Sequence, residues 1–193
     1  MVRHQFDLSG GHLALDFANT MTSRHKPEPI ERLTSYDELL AFAEQTHACT
    51  PAEAARLRAV ARRNPGRART AVLRARELRE AIFAISSRWA QRRPQRESDL
   101  ATLSAGVHRL VLDDDLTWTW DDCDGPDAVL APMVRSAVDL LTSPERERIR
   151  MCEAEDCIWV FLDTTKNRSR RWCSMEYCGN RAKARRFYER HHG

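Results

Sequence analysis

Four cysteines near the C-terminus carry the most specific chemistry in the sequence. Cys152 and Cys157 form one C-x4-C pair, Cys173 and Cys178 form another, and 15 residues separate the pairs. Thiolates are soft ligands, and each pair closes a short loop at small entropic cost, so the spacing suits one structural zinc ion (Zn2+) in a tetrahedral site. Four thiolates leave no open coordination position, which argues against a catalytic metal. A redox dithiol is excluded because four residues, not two, separate the members of each pair. Cys49 and Cys123 stand in no ligand spacing and are expected as free thiols, and His191 and His192 lie beyond the ligand set.

The surroundings of these cysteines are cationic. Residues 163–193 hold nine Lys or Arg against three acids, so this segment carries +6 while the whole chain carries +3. One sign of charge concentrated at one end implies a polyanionic partner. Lys166, Arg168, Arg170 and Arg171 lie in the loop before Cys173, where the three arginines are expected to clamp phosphates. Asn180, Arg181, Lys183, Arg185 and Arg186 lie on a helix expected over 179–190. Arg181 and Arg185 are candidates for base edges, since arginine matches guanine bidentately; Asn180 suits either adenine or the helix cap. A narrow stripe of Asn180, Ala184, Phe187 and Tyr188 is left to pack on the rest of the protein. DNA is the expected partner; RNA and an acidic protein are the alternatives, the last making the chain an interaction adaptor.

The elements that must position these residues are also signalled. The insert between the cysteine pairs is long enough for two short strands, the first over 159–162, and the second pair runs into the basic helix, giving a treble-clef-like finger. Upstream, Ser35-Tyr36-Asp37-Glu38 and Thr50-Pro51-Ala52-Glu53 are capping boxes, the second with proline at the first helical position. A longer helix is expected over 68–91 and another over 128–141, from apolar residues at helical spacing. Between them Leu110 and Leu112, then Leu116, Trp118 and Trp120, alternate around Asp113-Asp114-Asp115 as a β-hairpin would. The expected fold is mainly α with a small β-hairpin: a helical N-terminal domain over 1–145 and the finger over 146–193, divided at Ser143-Pro144.

Composition bounds the function. No run of about 18 apolar residues could span a bilayer and no export signal opens the chain, so a cytoplasmic location is expected. No nucleophile–base spacing, glycine-rich phosphate loop or HExxH pattern occurs, so no enzyme is expected. Asp16 and Asn19 sit in the apolar stretch 10–20, either as a hydrogen-bonded structural pair, the favoured reading, or as polar contacts in a ligand pocket. The oligomeric state is open between monomer and homodimer.

The C-terminal residues also carry a resemblance. Phe161 to Met175, including Asp163-Thr164-Thr165-Lys166-Asn167-Arg168, and then Cys178-Gly179-Asn180-Arg181, closely resemble the CGNR zinc-finger family, with Thr165 where that family usually has serine and Ile158 where glycine is frequent. Leu15-Asp16-Phe17-Ala18-Asn19-Thr20 and Leu140-Leu141-Thr142-Ser143 resemble the ABATE domain of stress-induced transcriptional regulators. The resemblance implies a helical regulatory domain joined to a zinc finger, and transcriptional regulation through DNA binding.

Overall fold

A computed structural model describes residues 6–192. The first helix, α1 (Leu13–Ala18), is too short to be stable alone; it buries Ala14 through Ala18, so packing holds it. Gly10 precedes it because a Cβ there would lie 2.7 Å from Asp16 Oδ1 and 3.0 Å from the Asp16 amide nitrogen. Two-residue strands β1 (Met21–Thr22) and β2 (Ile30–Glu31) then pair antiparallel.

The helical signals are realised next. α2 (Tyr36–Gln45) starts at Ser35, whose hydroxyl accepts from the Glu38 N–H at 3.2 Å. α3 (Pro51–Arg63) carries a complete capping box: Thr50 Oγ1 accepts from the Glu53 N–H at 3.2 Å, and the Glu53 carboxylate accepts from the Thr50 N–H at 2.7 Å. α4 (Pro65–Ala90) begins three residues before its expected start, because proline fits the first turn of a helix. After α5 (Glu97–Val107) comes the expected hairpin, β3 (Leu110–Leu112) with β4 (Trp118–Trp120), in the register Leu110↔Trp120 and Leu112↔Trp118. A 3-10 turn leads into α6 (Ala131–Thr142).

The C-terminal module consists of β5 (Ile149–Met151), β6 (Val160–Leu162) and α7 (Asn180–His192). β5 and β6 pair antiparallel, so the hairpin brackets the first cysteine pair. The two strands expected between the pairs reduce to one, and the other precedes Cys152. The fold is thus mainly helical, with three small antiparallel pairs among the described residues. No helix among them is long and apolar enough to cross a membrane.

One hydrophobic core joins most of these elements. Leu15 and Phe17 of α1, Leu39 and Phe42 of α2, Leu78 and Ile82 of α4, and Met133 and Leu140 of α6 pack together with Ile149, Val160 and Leu162 of the β5–β6 hairpin. Strand residues alternate faces, so Phe161 turns the other way and packs with the four cysteines in a second cluster. The helical body also holds a buried cation. Arg79 of α4, 1% exposed, reaches both Glu31 carboxylate oxygens at 2.5 and 2.8 Å and Glu80 at 3.0 Å.

Candidate metal centre and nucleic-acid interface

The hairpin turn and the start of α7 bring the four cysteines together. Cys152 directly follows β5, and its N–H donates to the Trp159 carbonyl at 2.8 Å; the Cys157 N–H closes the turn on Ala154 at 2.9 Å. Ser174 opens a wide turn, Met175–Gly179, by accepting from the Tyr177 N–H at 3.3 Å. Cys178 lies in that turn. Gly179 follows it where a Cβ would meet Met175 Sδ at 2.5 Å and the Trp172 ring at 3.3 Å.

All four thiols are buried, and their sulfurs lie within 4.8 Å of one another. Cys173 Sγ is 3.7 Å from Cys157 Sγ and 3.6 Å from Cys178 Sγ. Those separations are far beyond a disulfide and close to the edge of about 3.8 Å that a tetrahedron with metal–sulfur bonds of about 2.3 Å would have. Acidity within the cluster is uneven. Hydrogen bonds from Cys157 and Cys173 pull Cys152 down, and the same contacts push Cys157 and Cys173 up, while burial raises Cys178. Four thiolates so close together need a cation, and the donor set fits a soft or borderline ion in a closed, four-coordinate site. Trp159 and Trp172 pack against the cluster.

The basic loop is held by a buried acid. Asp163 accepts from Thr165 N–H at 2.9 Å, Thr165 hydroxyl at 2.6 Å and Arg170 N–H at 3.0 Å. Burial raises its pKa, but these bonds prevail and hold it below the usual carboxylate range. Arg170 does not face solvent as a phosphate clamp would. Its guanidinium donates to the carbonyls of Trp172 at 3.0 Å, Ser9 at 2.9 Å and Cys173, and it lies 4.6 Å from the Phe161 ring centre. It ties the loop to the metal centre and to the N-terminal body.

Three other expected contact residues meet acids that lie in the first cysteine pair. Arg171 pairs with Glu153 at 2.5 Å, Arg181 with Asp156 at 3.0 Å, and Arg185 with Glu155. Arg181 also places Nη2 3.4 Å from Cys178 Sγ. Counting charge from residue 163 onward omits these three acids. Lys166, Arg168, Lys183 and Arg186 are exposed and carry no ion pair among the described residues, and Asn180 is exposed at the start of α7. The stripe meant to pack does not: Phe187 and Tyr188 are 53% and 63% exposed, with His191 stacked on Phe187 at 4.1 Å.

Asp16 and Asn19 have different fates. Asn19, 2% exposed, donates from Nδ2 to the Val160 carbonyl at 2.8 Å and accepts at Oδ1 from the Val160 N–H at 3.2 Å. It is a structural bridge from α1 to β6, and beside it lies a cavity of about 220 Å³ that also touches Phe6, Arg32 and Trp159. Asp16 does not line that cavity. Its Oδ1 finds no hydrogen-bond partner, and burial raises its pKa to about 7 against the opposing pull of the amides of Gly10, Gly11 and His12.

Sequence reasoning passed over a second set of cations. Arg92 and Arg93, just after α4, and Arg150 of β5 line a groove together with Arg168. The signal was present in composition, since residues 88–96 contain four arginines and no acid.

Comparison with known families agrees with this architecture. The family model ABATE, described as "Putative stress-induced transcription regulator", matches residues 11–144, and the CGNR zinc finger matches residues 148–191. No curated protein matches the chain. The chain belongs to the ABATE family and carries a C-terminal CGNR zinc finger.

Proposed function

We propose that this family member regulates transcription in the cytoplasm by binding DNA through its C-terminal module, which holds one structural zinc ion on Cys152, Cys157, Cys173 and Cys178. The observation that carries the reading is the coupling of a closed four-thiol site to an exposed cationic surface. The thiols fix the start of α7 and the end of the basic loop. Lys166, Arg168, Lys183, Arg186 and Arg190 project from those two segments without a carboxylate partner among the described residues. The ion would neutralise thiolates and lock the fold; it has no role in bond making. Arg171, Arg181 and Arg185 are available to a polyanion at small cost, because exposed ion pairs contribute only about 0–1 kcal/mol each. Asn180, Arg181 and Arg185 remain the candidates for reading bases. An effector for the N-terminal domain would enter the cavity beside Asn19.

The test is fluorescence anisotropy with a duplex DNA pool across a salt series, on protein whose metal content is measured beforehand. One zinc per chain and binding that a chelator abolishes are expected. Five phosphate contacts give a slope of log K against log salt of about −4.5. Absence of duplex binding at low salt defeats the DNA reading. Binding of RNA alone, or of an acidic protein alone, would select the corresponding alternative.

A further inference from the structure

We infer that the N-terminal domain supplies part of the phosphate-binding surface, through a groove between the end of α4 and the β5–β6 module. The inference rests on the DNA reading above and extends it to residues outside the finger.

The groove has a volume of about 810 Å³ and is lined by Trp89, Arg92, Arg93, Arg150 and Arg168, with Glu147 as its one acid among the described residues. Arg92, Arg93 and Arg168 are exposed, and no carboxylate among the described residues forms an ion pair with them. Arg150 spends Nη1 on the carbonyls of Glu147 at 2.8 Å and Ile149 at 2.9 Å, which fixes its guanidinium without neutralising it. Four guanidinium groups around one groove face Glu147 as its one lining acid, with Asp163 acting on Arg150 from outside the lining, so the groove keeps an excess of positive charge that a bound polyanion would offset.

Backbone geometry places two of these arginines at left-handed positions that favour glycine. α4 ends in a Schellman motif: the Arg92 N–H reaches the Trp89 carbonyl at 2.9 Å and the Arg93 N–H reaches the Arg88 carbonyl at 2.8 Å. The residue after the cap in that motif is left-handed and usually glycine, yet here it is Arg92 with φ 56°. Arg168 also has φ 51°. Glycine would relieve strain at both positions, so packing does not account for arginine.

A bland explanation exists for part of the set. Cations in the last turn of a helix complement its dipole, which would account for Arg88, Arg92 and Arg93. It does not account for Arg150 and Arg168, which come from the other module and face the same groove. Arg168 belongs both to the groove and to the basic loop, so a nucleic-acid backbone lying on Lys166 and Arg168 continues onto Arg92 and Arg93. Trp89 contributes to its apolar lining, and the Arg146 guanidinium lies 4.9 Å from that ring's centre.

The experiment uses the zinc-loaded full chain and compares wild type, Arg92→Gly/Arg93→Ala and Lys183→Ala/Arg186→Ala by anisotropy across a salt series. With seven contacts the wild-type slope is about −6.3, and the groove variant should flatten it by about 1.8. The melting temperature of the groove variant should stay level or rise, because glycine suits position 92; Arg92→Lys should keep the slope. If the groove variant matches wild type while the α7 variant flattens the slope, DNA binds the finger alone and this inference fails. If wild type binds no duplex, the DNA reading fails first, and the two failures are told apart by that control.

Discussion

Asn19→Ala is the sharpest probe of how the finger is attached. Met151 stands opposite Val160, and the Cys152 N–H donates to the Trp159 carbonyl, so Met151 and Val160 form a non-hydrogen-bonded pair. The N–H and C=O of Val160 therefore point away from β5, toward α1. Both are completed by the Asn19 side chain, at 3.2 and 2.8 Å, between residues 2% and 0% exposed. Alanine leaves a donor and an acceptor orphaned in the core, each costing about 1–3 kcal/mol, so the loss is about 2–6 kcal/mol. For a chain of this size, that lowers the melting temperature by roughly 4–24 °C, at about 2–4 °C per kcal/mol. Thermal denaturation of the zinc-loaded chain measures it, and hydrogen exchange at the Val160 amide should accelerate. Asn19→Asp keeps an acceptor for the Val160 N–H but sets a buried oxygen against its carbonyl; at pH 8 it should be at least as damaging as alanine, and acid should partly rescue it. A melting point for Asn19→Ala within about 1 °C of wild type would refute the bridge, because two orphaned groups cannot cost so little.

Two further outcomes follow from the same geometry. Arg170→Ala should cost about 2–4 kcal/mol in denaturant titrations, since several carbonyls lose a charged donor. Protein that stays folded should keep its DNA salt slope, whereas Arg168→Gly should do the opposite. Asp16 has a folded pKa near 7 against an ordinary value of 3.8, so the native state holds the proton more tightly than the unfolded chain. Its contribution to stability is complete below about pH 4 and is lost as pH rises through 7. The melting temperature of Asp16→Asn relative to wild type should therefore increase between pH 6 and pH 8. An unchanged difference would place Asp16 in a better-satisfied site than the one described.

What the sequence made legible was short-range chemistry. Two C-x4-C pairs constrain their own loops, and Thr50 with Glu53 closes a capping box within four residues, so both are readable without a tertiary context. The β3–β4 hairpin is equally local. What escaped depends on distant partners. Arg170 reads as a solvent cation in a run of cations, yet the carbonyls of Ser9, Trp172 and Cys173 claim it. Arg79 looks like one more charged residue of a surface helix until Glu31, 48 positions earlier, is folded against it. Phe187 and Tyr188 erred the other way: helical spacing makes an apolar stripe, but packing needs an opposing surface to bury it, and both rings stay more than half exposed. The second finger strand was misplaced because strand pairing is set by register, and β6 finds its partner before Cys152.

Charge accounting changes once these partners are in place. From Cys152 onward, nine cations face six acids, leaving +3 instead of the +6 counted from residue 163. A divalent ion on four thiolates adds a net −2, which reduces the finger to about +1. Arg181, 3.4 Å from Cys178 Sγ, is positioned to offset that negative centre, as is the N-terminal end of α7. A module so nearly neutral would attract a polyanion weakly as a whole; under the proposed DNA reading, binding would come from the local placement of Lys166, Arg168, Lys183 and Arg186. The cations just outside it then matter more. Arg148, whose guanidinium holds the carbonyls of Asp163 and Thr165, stands just before the strand leading into the metal centre, and Arg150 stands on it. Arg92 and Arg93 stand across the groove on α4's end. Because Ile149, Val160 and Leu162 share the core of the helical body, these cations are held in fixed relation to the basic loop. The shared core therefore does more than anchor the finger: it sets cations of the helical body beside those of the basic loop.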